Sequence, residues 1–145
     1  KIGSKLKKKE KNKVNIKQKL FLKKFKSSVS TKRKKVKDYF EKLQKEKKMI
    51  TLLGAGHLGI KFMNFFNINS YFNQIVDDNK KIYNLRLPNT NCKITNSKKM
   101  KKEGIFFSSL NHESEKKFLS NNKFLINKVK IFSISKYGNN SAPFN

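Results

Sequence analysis

The chain has 145 residues, enough for one domain with a sizeable core. Its 36 basic residues outnumber its 9 acidic ones, and the formal charge of +27 first suggests a nucleic acid or an anionic surface as partner. Only two of these basic residues, Arg33 and Arg86, are arginines, the type favoured for bidentate phosphate and base recognition. The composition therefore argues against dedicated nucleic-acid binding. The single cysteine, Cys92, excludes an internal disulfide and fits a reducing cytoplasm.

The charge is concentrated at the start of the chain, where residues 1–48 hold 21 basic and 4 acidic residues. Residues 1–19 have little apolar content and are predicted to be a solvated basic arm. Residues 20–48 are predicted to be a helical linker, because apolar side chains recur at helical spacing. The serine-rich segment 27–31 allows a division of this linker into two helices. The apolar members of the stripe are Leu22, Phe25, Val29, Val36, Phe40 and Leu43.

A glycine motif at residues 54–59 organises the rest of the chain. Gly54, Gly56 and Gly59 have G-x-G-x-x-G spacing, after an apolar run at 49–53 and before an apolar segment at 60–66. This pattern predicts a strand, a tight turn and a helix whose N-terminus faces an anion. In such a turn the first glycine permits the sharp bend, the second permits close approach of a phosphate, and the third permits close helix packing.

A second predicted strand, residues 71–76, ends in Asp77 and Asp78. Asp77 lies 23 residues after Gly54, close to the ~20 at which dinucleotide-binding proteins present an acid to ribose hydroxyls. The alternative role for these acids is to make turn hydrogen bonds at the strand end.

The remaining elements alternate between strand and helix. We predict a loop leading into a short strand near 94, a short basic helix at 97–102, a strand at 105–108, a helix at 112–125, a strand at 129–134 and a loop-like tail. Short connections without a hairpin signal indicate a parallel sheet. The predicted fold is a Rossmann-like, three-layer α/β domain at residues 49–145, with four to five parallel strands, preceded by the basic helical linker. Polar residues and glycines interrupt the longest apolar run, so we expect no membrane-spanning helix.

These features resemble the C-terminal domain of S-adenosylmethionine-dependent C-methyltransferases, including those that act on nucleotide-linked deoxysugars. The family pattern is a lysine-rich helix, a strand, a glycine loop, a helix ending near "LGI", a strand ending in "VDD" and the loop "LPGTHIPI". Here the lysine-rich helix corresponds to 34–48, and the strand with its glycine loop corresponds to 50–56. The helix end, the second strand and the loop correspond to 65–68, 75–78 and 87–94. The loop reads Leu87-Pro88-Asn89-Thr90-Asn91-Cys92-Lys93-Ile94, so Asn89 and Asn91 replace the family's Gly and His.

The resemblance implies an acceptor domain that binds a nucleotide-linked sugar. It implies no cofactor in this chain, because S-adenosylmethionine belongs to a methyltransferase catalytic domain, supplied in cis or in trans as the partner. Whether this chain is an enzyme by itself is left open, and we expect it to bind without transferring methyl groups. Asn91 can form hydrogen bonds but cannot exchange a proton near neutral pH as His can.

Candidate ligand-binding residues come from the glycine turn, the acids, the loop and the end of the strand at 105–108. No nucleophile–base pair or metal spacing is visible, so we assign no catalytic residue and predict no metal. The proposed ligand-binding residues are Gly54, Ala55, Gly56, His57, Gly59, Asp77, Asp78, Pro88, Asn89, Thr90, Asn91 and Ser108.

Two other functions stay open at this point. The glycine turn and acids also suit an NAD- or sugar-nucleotide-binding domain of a dehydrogenase or a sugar-modifying enzyme. The charge also suits a basic RNA-binding module. The loop at 87–94 favours the C-methyltransferase family over a generic cofactor domain, and the scarcity of arginine disfavours RNA.

The basic arm provides a test of the RNA hypothesis. We expect residues 1–19 to add only nonspecific attraction to polyanions, because lysine–phosphate attraction depends on counterion release. RNA affinity, measured by fluorescence anisotropy, should fall steeply with salt and should not depend on RNA sequence. Tight, sequence-selective binding that persists at high salt would contradict this expectation.

Overall fold

The computed structural model describes residues 2–125, 127–134 and Pro143, with side chains in the first helix from Asn15 onward. It divides into two compact units, residues 1–35 and 36–145. The functional boundaries placed above after residues 19 and 48 stay predictions. The tail from residue 135, predicted as a loop, lies outside the described residues apart from Pro143.

The first helix, α1, is Ile2–Lys45 and confirms the helical linker. It contains no break at residues 27–31, so the division into two helices is wrong. Serine and threonine cost a helix only a few tenths of a kcal/mol each, and no proline or glycine interrupts this segment. Within the second unit, Val36, Phe40 and Leu43 of α1 are buried in the core.

The second unit is a five-stranded parallel sheet with helices on both faces. Its strands are β1 (Ile50–Leu53), β2 (Gln74–Val76), β3 (Ile94–Thr95), β4 (Ile105–Ser108) and β5 (Lys130–Ser133). The order across the sheet is β3-β2-β1-β4-β5, and every pairing is parallel. The further helices are α2 (His57–Phe66) and α3 (His112–Asn121), with short 3₁₀ turns at Asn69–Tyr71, Lys80–Ile82 and Lys123–Leu125. The predicted α/β class and parallel sheet are confirmed.

Alternate side chains of the central strands enter two separate cores. Leu52 and Phe107 pack with Phe40 of α1 and Met63 of α2 on one face. On the other face, Leu53, Val76 and Phe106 pack with Phe118 of α3. Such strands, apolar on both faces, are typical of a sheet covered by helices on both sides. Phe40 and Phe107 stack with their ring centroids 4.9 Å apart, which fixes the last turns of α1, within the second unit, against the centre of the sheet.

The basic helix predicted at 97–102 is wrong, because the segment forms a turn. The Asn96 side-chain oxygen accepts the Lys99 N–H at 3.0 Å and so closes this turn. The chain then leaves the turn because the Lys101 N–H donates to the side chain of Gln74 on β2 at 2.8 Å. Met100 is buried against the sheet, so burial and this hydrogen bond replace a further helical turn.

Gly104 is a second position where the fold requires glycine. Its φ of +87° lies in the left-handed region, and a Cβ there would collide with the carbonyl oxygen of Met49. That carbonyl accepts the N–H of Ile105, so it cannot move away without loss of the bond that begins β4.

We therefore expect Gly104→Ala to lower the free energy of unfolding by more than about 2 kcal/mol, from backbone strain and the collision together. Urea denaturation followed by circular dichroism measures the change. The matched control is Gly56→Ala, because no atom lies within 4 Å of a Cβ at Gly56. Equal stability of the two variants would contradict the analysis of Gly104.

Candidate functional site at the carboxyl edge of the sheet

The strand order reverses between β1 and β4, and the chain segments after these two strands form a crevice there. In open α/β sheets ligands bind at this switch point. The residues after β1 are the glycine turn, and those after β4 are Ser109, Leu110 and Asn111. Asn111 caps α3, because its side chain accepts the Ser114 N–H at 2.8 Å.

Two glycines of the turn are required by the protein's own packing. Gly54 has a φ of +88°, and a Cβ there would lie 2.8 Å from both Ser109 Oγ and Leu110 Cδ2. A Cβ on Gly59 would lie 2.9 Å from the Gly54 carbonyl oxygen and 2.9 Å from Ser109 Oγ. The predicted roles of the first and third glycines, in the bend and in helix packing, are confirmed.

Ser109 joins the two sides of the crevice. Its hydroxyl lies 2.9 Å from the carbonyl oxygen of Leu53 and 2.7 Å from that of Gly54, in position to donate to either. The backbone N–H of Ser109 also donates to Leu53. Ser108, a predicted ligand residue, is fully buried, and its hydroxyl has no hydrogen-bond partner among the described residues.

Gly56 differs from the other two glycines because nothing surrounds its Cβ position. It is the N-cap of α2 and provides no side-chain hydrogen bond to the helix. His57 is the first residue of the helix and is exposed. The first-turn amides of α2 have no intrahelical acceptors, and the residues that begin this positive end of the helix, Gly56 and His57, are exposed.

The two predicted acids lie beside this turn, and both make the turn hydrogen bonds that were the alternative role. Asp77 accepts the Ala55 N–H and the Asn79 N–H, each at 2.8 Å. Asp78 accepts the backbone N–H and the hydroxyl of Ser97 at 2.8 and 3.0 Å. Asp77 thus ties the end of β2 to the glycine turn, and Asp78 holds the turn that follows β3.

A cleft of about 300 Å³ opens between Gly54, the end of β2 and α3. Its apolar lining is Val76, Leu110 and Phe118. The polar lining combines Asp77, Asp78 and Asn79 with Ser114, Lys117 and Asn121 of α3. The α3 residues were not predicted as site residues. Residues 114, 117, 118 and 121 are spaced so that they lie on one face of the helix. Polar side chains on the face that packs against the sheet were the sequence signal that could have predicted this part of the site.

The loop residues Pro88, Asn89, Thr90 and Asn91 lie elsewhere. Arg86 pairs antiparallel with Lys93, so residues 87–92 form the tip of a hairpin. The Asn69 side chain donates to the Pro88 carbonyl at 3.2 Å, and the Cys92 thiol donates to that of Phe72 at 2.9 Å. Phe72 precedes β2, so this tip lies at the amino edge of the sheet. The structure brings together the glycine turn, the acids and Ser108, but not the loop.

The loop is held in shape by its own contacts. Thr90 is buried and its hydroxyl donates to the Leu87 carbonyl at 2.8 Å. Asn89 has a φ of +59°, a left-handed conformation that glycine adopts readily and asparagine tolerates best among the other residues. Asn91 is exposed. Burial raises the pKa of the Cys92 thiol, and the nearby charge of Arg86 lowers it by a smaller amount. The thiol is therefore protonated at neutral pH.

Neither a metal cluster nor a membrane helix is found in the part of the chain that the structure describes. No three His, Cys, Asp or Glu side chains gather there to hold a metal ion. None of the helices in this part of the chain combines the length and the apolar composition that a membrane span requires.

The strand order and glycine turn define a Rossmann-like domain with its crevice between β1 and β4. The sequence model of the C-methyltransferase C-terminal domain matches residues 4–106, and the chain belongs to this family. Comparisons with curated proteins and with solved structures gave no match.

The conformation of Asn89 gives a test of the loop. We expect Asn89→Gly to keep the free energy of unfolding within about 0.5 kcal/mol of the parent, because glycine adopts this conformation without strain. Asn89→Val should cost about 1–2 kcal/mol, because a β-branched residue is strained at positive φ. Parallel urea titrations compare the three proteins. If valine proved as stable as glycine, the left-handed conformation of residue 89 would be refuted.

Proposed function

We propose that the chain is the acceptor-binding domain of a C-methyltransferase and that it binds a nucleotide-linked sugar at the carboxyl edge of its sheet. Membership of the C-methyltransferase C-terminal family supports the link to methyl transfer. The single observation behind the proposed site is the open N-terminus of α2, where Gly56 leaves space above uncapped amides. Such a helix end is suited to phosphate oxygens.

The diphosphate is assigned to the first-turn amides of α2. Asp77 already accepts the Ala55 N–H, which leaves the amides from Gly56 onward for the ligand. The macrodipole of α2 adds a favourable positive potential at this end. Lys117, on the far side of the cleft, adds a cationic side chain near the same opening.

The nucleoside is assigned to the cleft between β2 and α3. A nucleobase has two flat apolar faces and a polar edge. Val76, Leu110 and Phe118 offer apolar surface for a face, and Ser114 and Asn121 offer hydrogen-bonding groups for an edge. The cleft volume of about 300 Å³ is at the lower end for a small-ligand site.

In this proposal the domain contributes binding energy and position rather than the methyl-transfer chemistry. S-adenosylmethionine is assigned to a partner methyltransferase domain, and the residues described here contain one strand–glycine–helix unit, which the acceptor occupies. Binding of the nucleotide then helps catalysis by holding the sugar carbon in line with the methyl donor.

The hydrogen bonds of the acids disfavour the dinucleotide alternative. A dinucleotide-binding protein uses the acid after the second strand for ribose hydroxyls. Both oxygens of Asp77 and both of Asp78 already accept hydrogen bonds from the protein. A nucleotide-linked sugar held mainly through its diphosphate and base depends less on these acids.

Gly56→Val tests the site. The valine side chain would fill the open space above the α2 amides, while an extended backbone (φ −79°, ψ −175°) is one that valine adopts readily. We expect an unchanged thermal unfolding midpoint and at least a tenfold loss of affinity for nucleoside-diphosphate sugars, measured by calorimetry on a panel of bases and sugars.

The matched control is Asn91→Ala, an exposed polar truncation at the opposite edge of the sheet. It should leave the affinity unchanged. Equal affinities of Gly56→Val and the parent would place the site away from the glycine turn, and a loss confined to Asn91→Ala would assign it to the loop. Preference for NAD over every nucleotide-sugar would favour the dinucleotide alternative.

A further inference from the structure

A row of apolar side chains lies on α1 within the first unit, and we call its members Leu22, Phe25 and Val29 the exposed seam. Leu22 is 61% exposed and Phe25 is 59% exposed, whereas Val29 is half-buried. The adjacent Phe21 is 68% exposed, and with Leu22, Lys17 and Gln18 it lines a shallow groove of about 470 Å³. Apolar side chains this exposed in a neighbouring group mark an interaction surface.

The spacing of the exposed seam is that of helix-to-helix packing. Its members are three and four residues apart, the alternation that places side chains at a and d positions of a heptad. In that register Lys19 and Lys26 occupy e positions, which flank the contact and face charged residues of a partner helix. Between residues 15 and 35 the helix carries nine basic residues and no acidic one.

The positive charge around the exposed seam indicates which kind of partner can bind there. A second copy of the same helix would bring nine more basic residues and no acidic one to the contact, so it offers no carboxylate to the flanking lysines. A lipid surface suits a helix with all its apolar residues on one side, but Ile16 and Leu20, 58% and 55% exposed, lie on the side opposite the seam. Carboxylates placed beside a complementary apolar row would satisfy both the seam and its flanking lysines.

We propose that the exposed seam binds an amphipathic helix of a partner protein, with apolar residues facing Leu22, Phe25 and Val29 and with glutamates or aspartates facing the flanking lysines. This is a protein-docking surface separate from the nucleotide-sugar site, since it lies in residues 15–35 and contains none of the ligand-binding residues. The mode of binding is a helix against an apolar seam with charged borders.

The probe is a synthetic helix of about 21 residues, three heptads, with leucine at a and d and glutamate at e and g. We use the full chain, fluorescence anisotropy and a salt concentration near 150 mM, where exposed charges are partly screened. The comparison peptides are a scrambled sequence of the same composition and a version with lysine in place of glutamate. The acidic helix should bind at least tenfold more tightly than the scrambled peptide, and the lysine version should not bind.

Two leucines on the same helix provide a matched pair of variants. Leu22→Ala removes a seam side chain, and Leu20→Ala removes one of similar exposure on the opposite side. Leu22→Ala should weaken binding of the acidic helix about tenfold, the loss typical of a central apolar contact. Leu20→Ala should leave the affinity unchanged. Far-UV circular dichroism verifies that both variants keep the helix.

Several outcomes would overturn the proposal. Equal binding of the acidic helix and its scrambled version would show that charge attraction alone accounts for binding. Equal losses of affinity in the two leucine variants would show that the binding surface is not the exposed seam. Self-association of the chain that is lost in Leu22→Ala would identify a second copy as the occupant. Tighter binding to vesicles containing anionic lipid, lost in both leucine variants alike, would identify a membrane surface instead.

Discussion

The contact on which the domain depends is the close approach of β1, α2 and β4 at Gly54, Gly59 and Ser109. The Ser109 hydroxyl lies within hydrogen-bond distance of the carbonyl oxygens of Leu53 and Gly54, and a Cβ on either glycine would strike it. This contact joins the two strands at the point where the sheet order reverses. It also sets α2 so that its N-terminus opens beside the crevice rather than into the core. The position proposed for the ligand is therefore set by the packing of these three residues, which exists without a ligand.

The sheet could be predicted because its signals are local. Short apolar runs, a glycine turn and intervening helical segments sufficed for the parallel strands and for α2. The failures arose where distant contacts decide. Gln74 on β2 binds the Lys101 N–H and so replaces a predicted helix with a turn. Segment 27–31 is helical because the low helix propensities of serine and threonine cost little free energy, and the helical turns on either side outweigh that cost.

The site was predictable in part for a related reason. The predicted strand before them placed Asp77 and Asp78 at its end, and the 23-residue separation of Asp77 from Gly54 matched the spacing of dinucleotide-binding proteins. Spacing could not show that backbone amides and Ser97 already occupy their oxygens. Spacing also could not show at which edge of the sheet the loop lies. The loop lies at the amino edge because Arg86 pairs with Lys93 and makes residues 87–92 a hairpin tip.

The loop at 87–94 departs from the family pattern at residues 89 and 91, and the two departures differ in consequence. Asn89, where the family pattern has Gly, has a left-handed backbone, a conformation that glycine adopts freely and asparagine tolerates. Thr90 closes the tip through the Leu87 carbonyl, and Cys92 ties the tip to the domain through the Phe72 carbonyl. Asn91, where the pattern has His, is exposed and has no group that titrates near neutral pH. The residues that face the protein therefore fix the shape of the loop, whereas residue 91, which faces solvent, carries an amide in place of an imidazole.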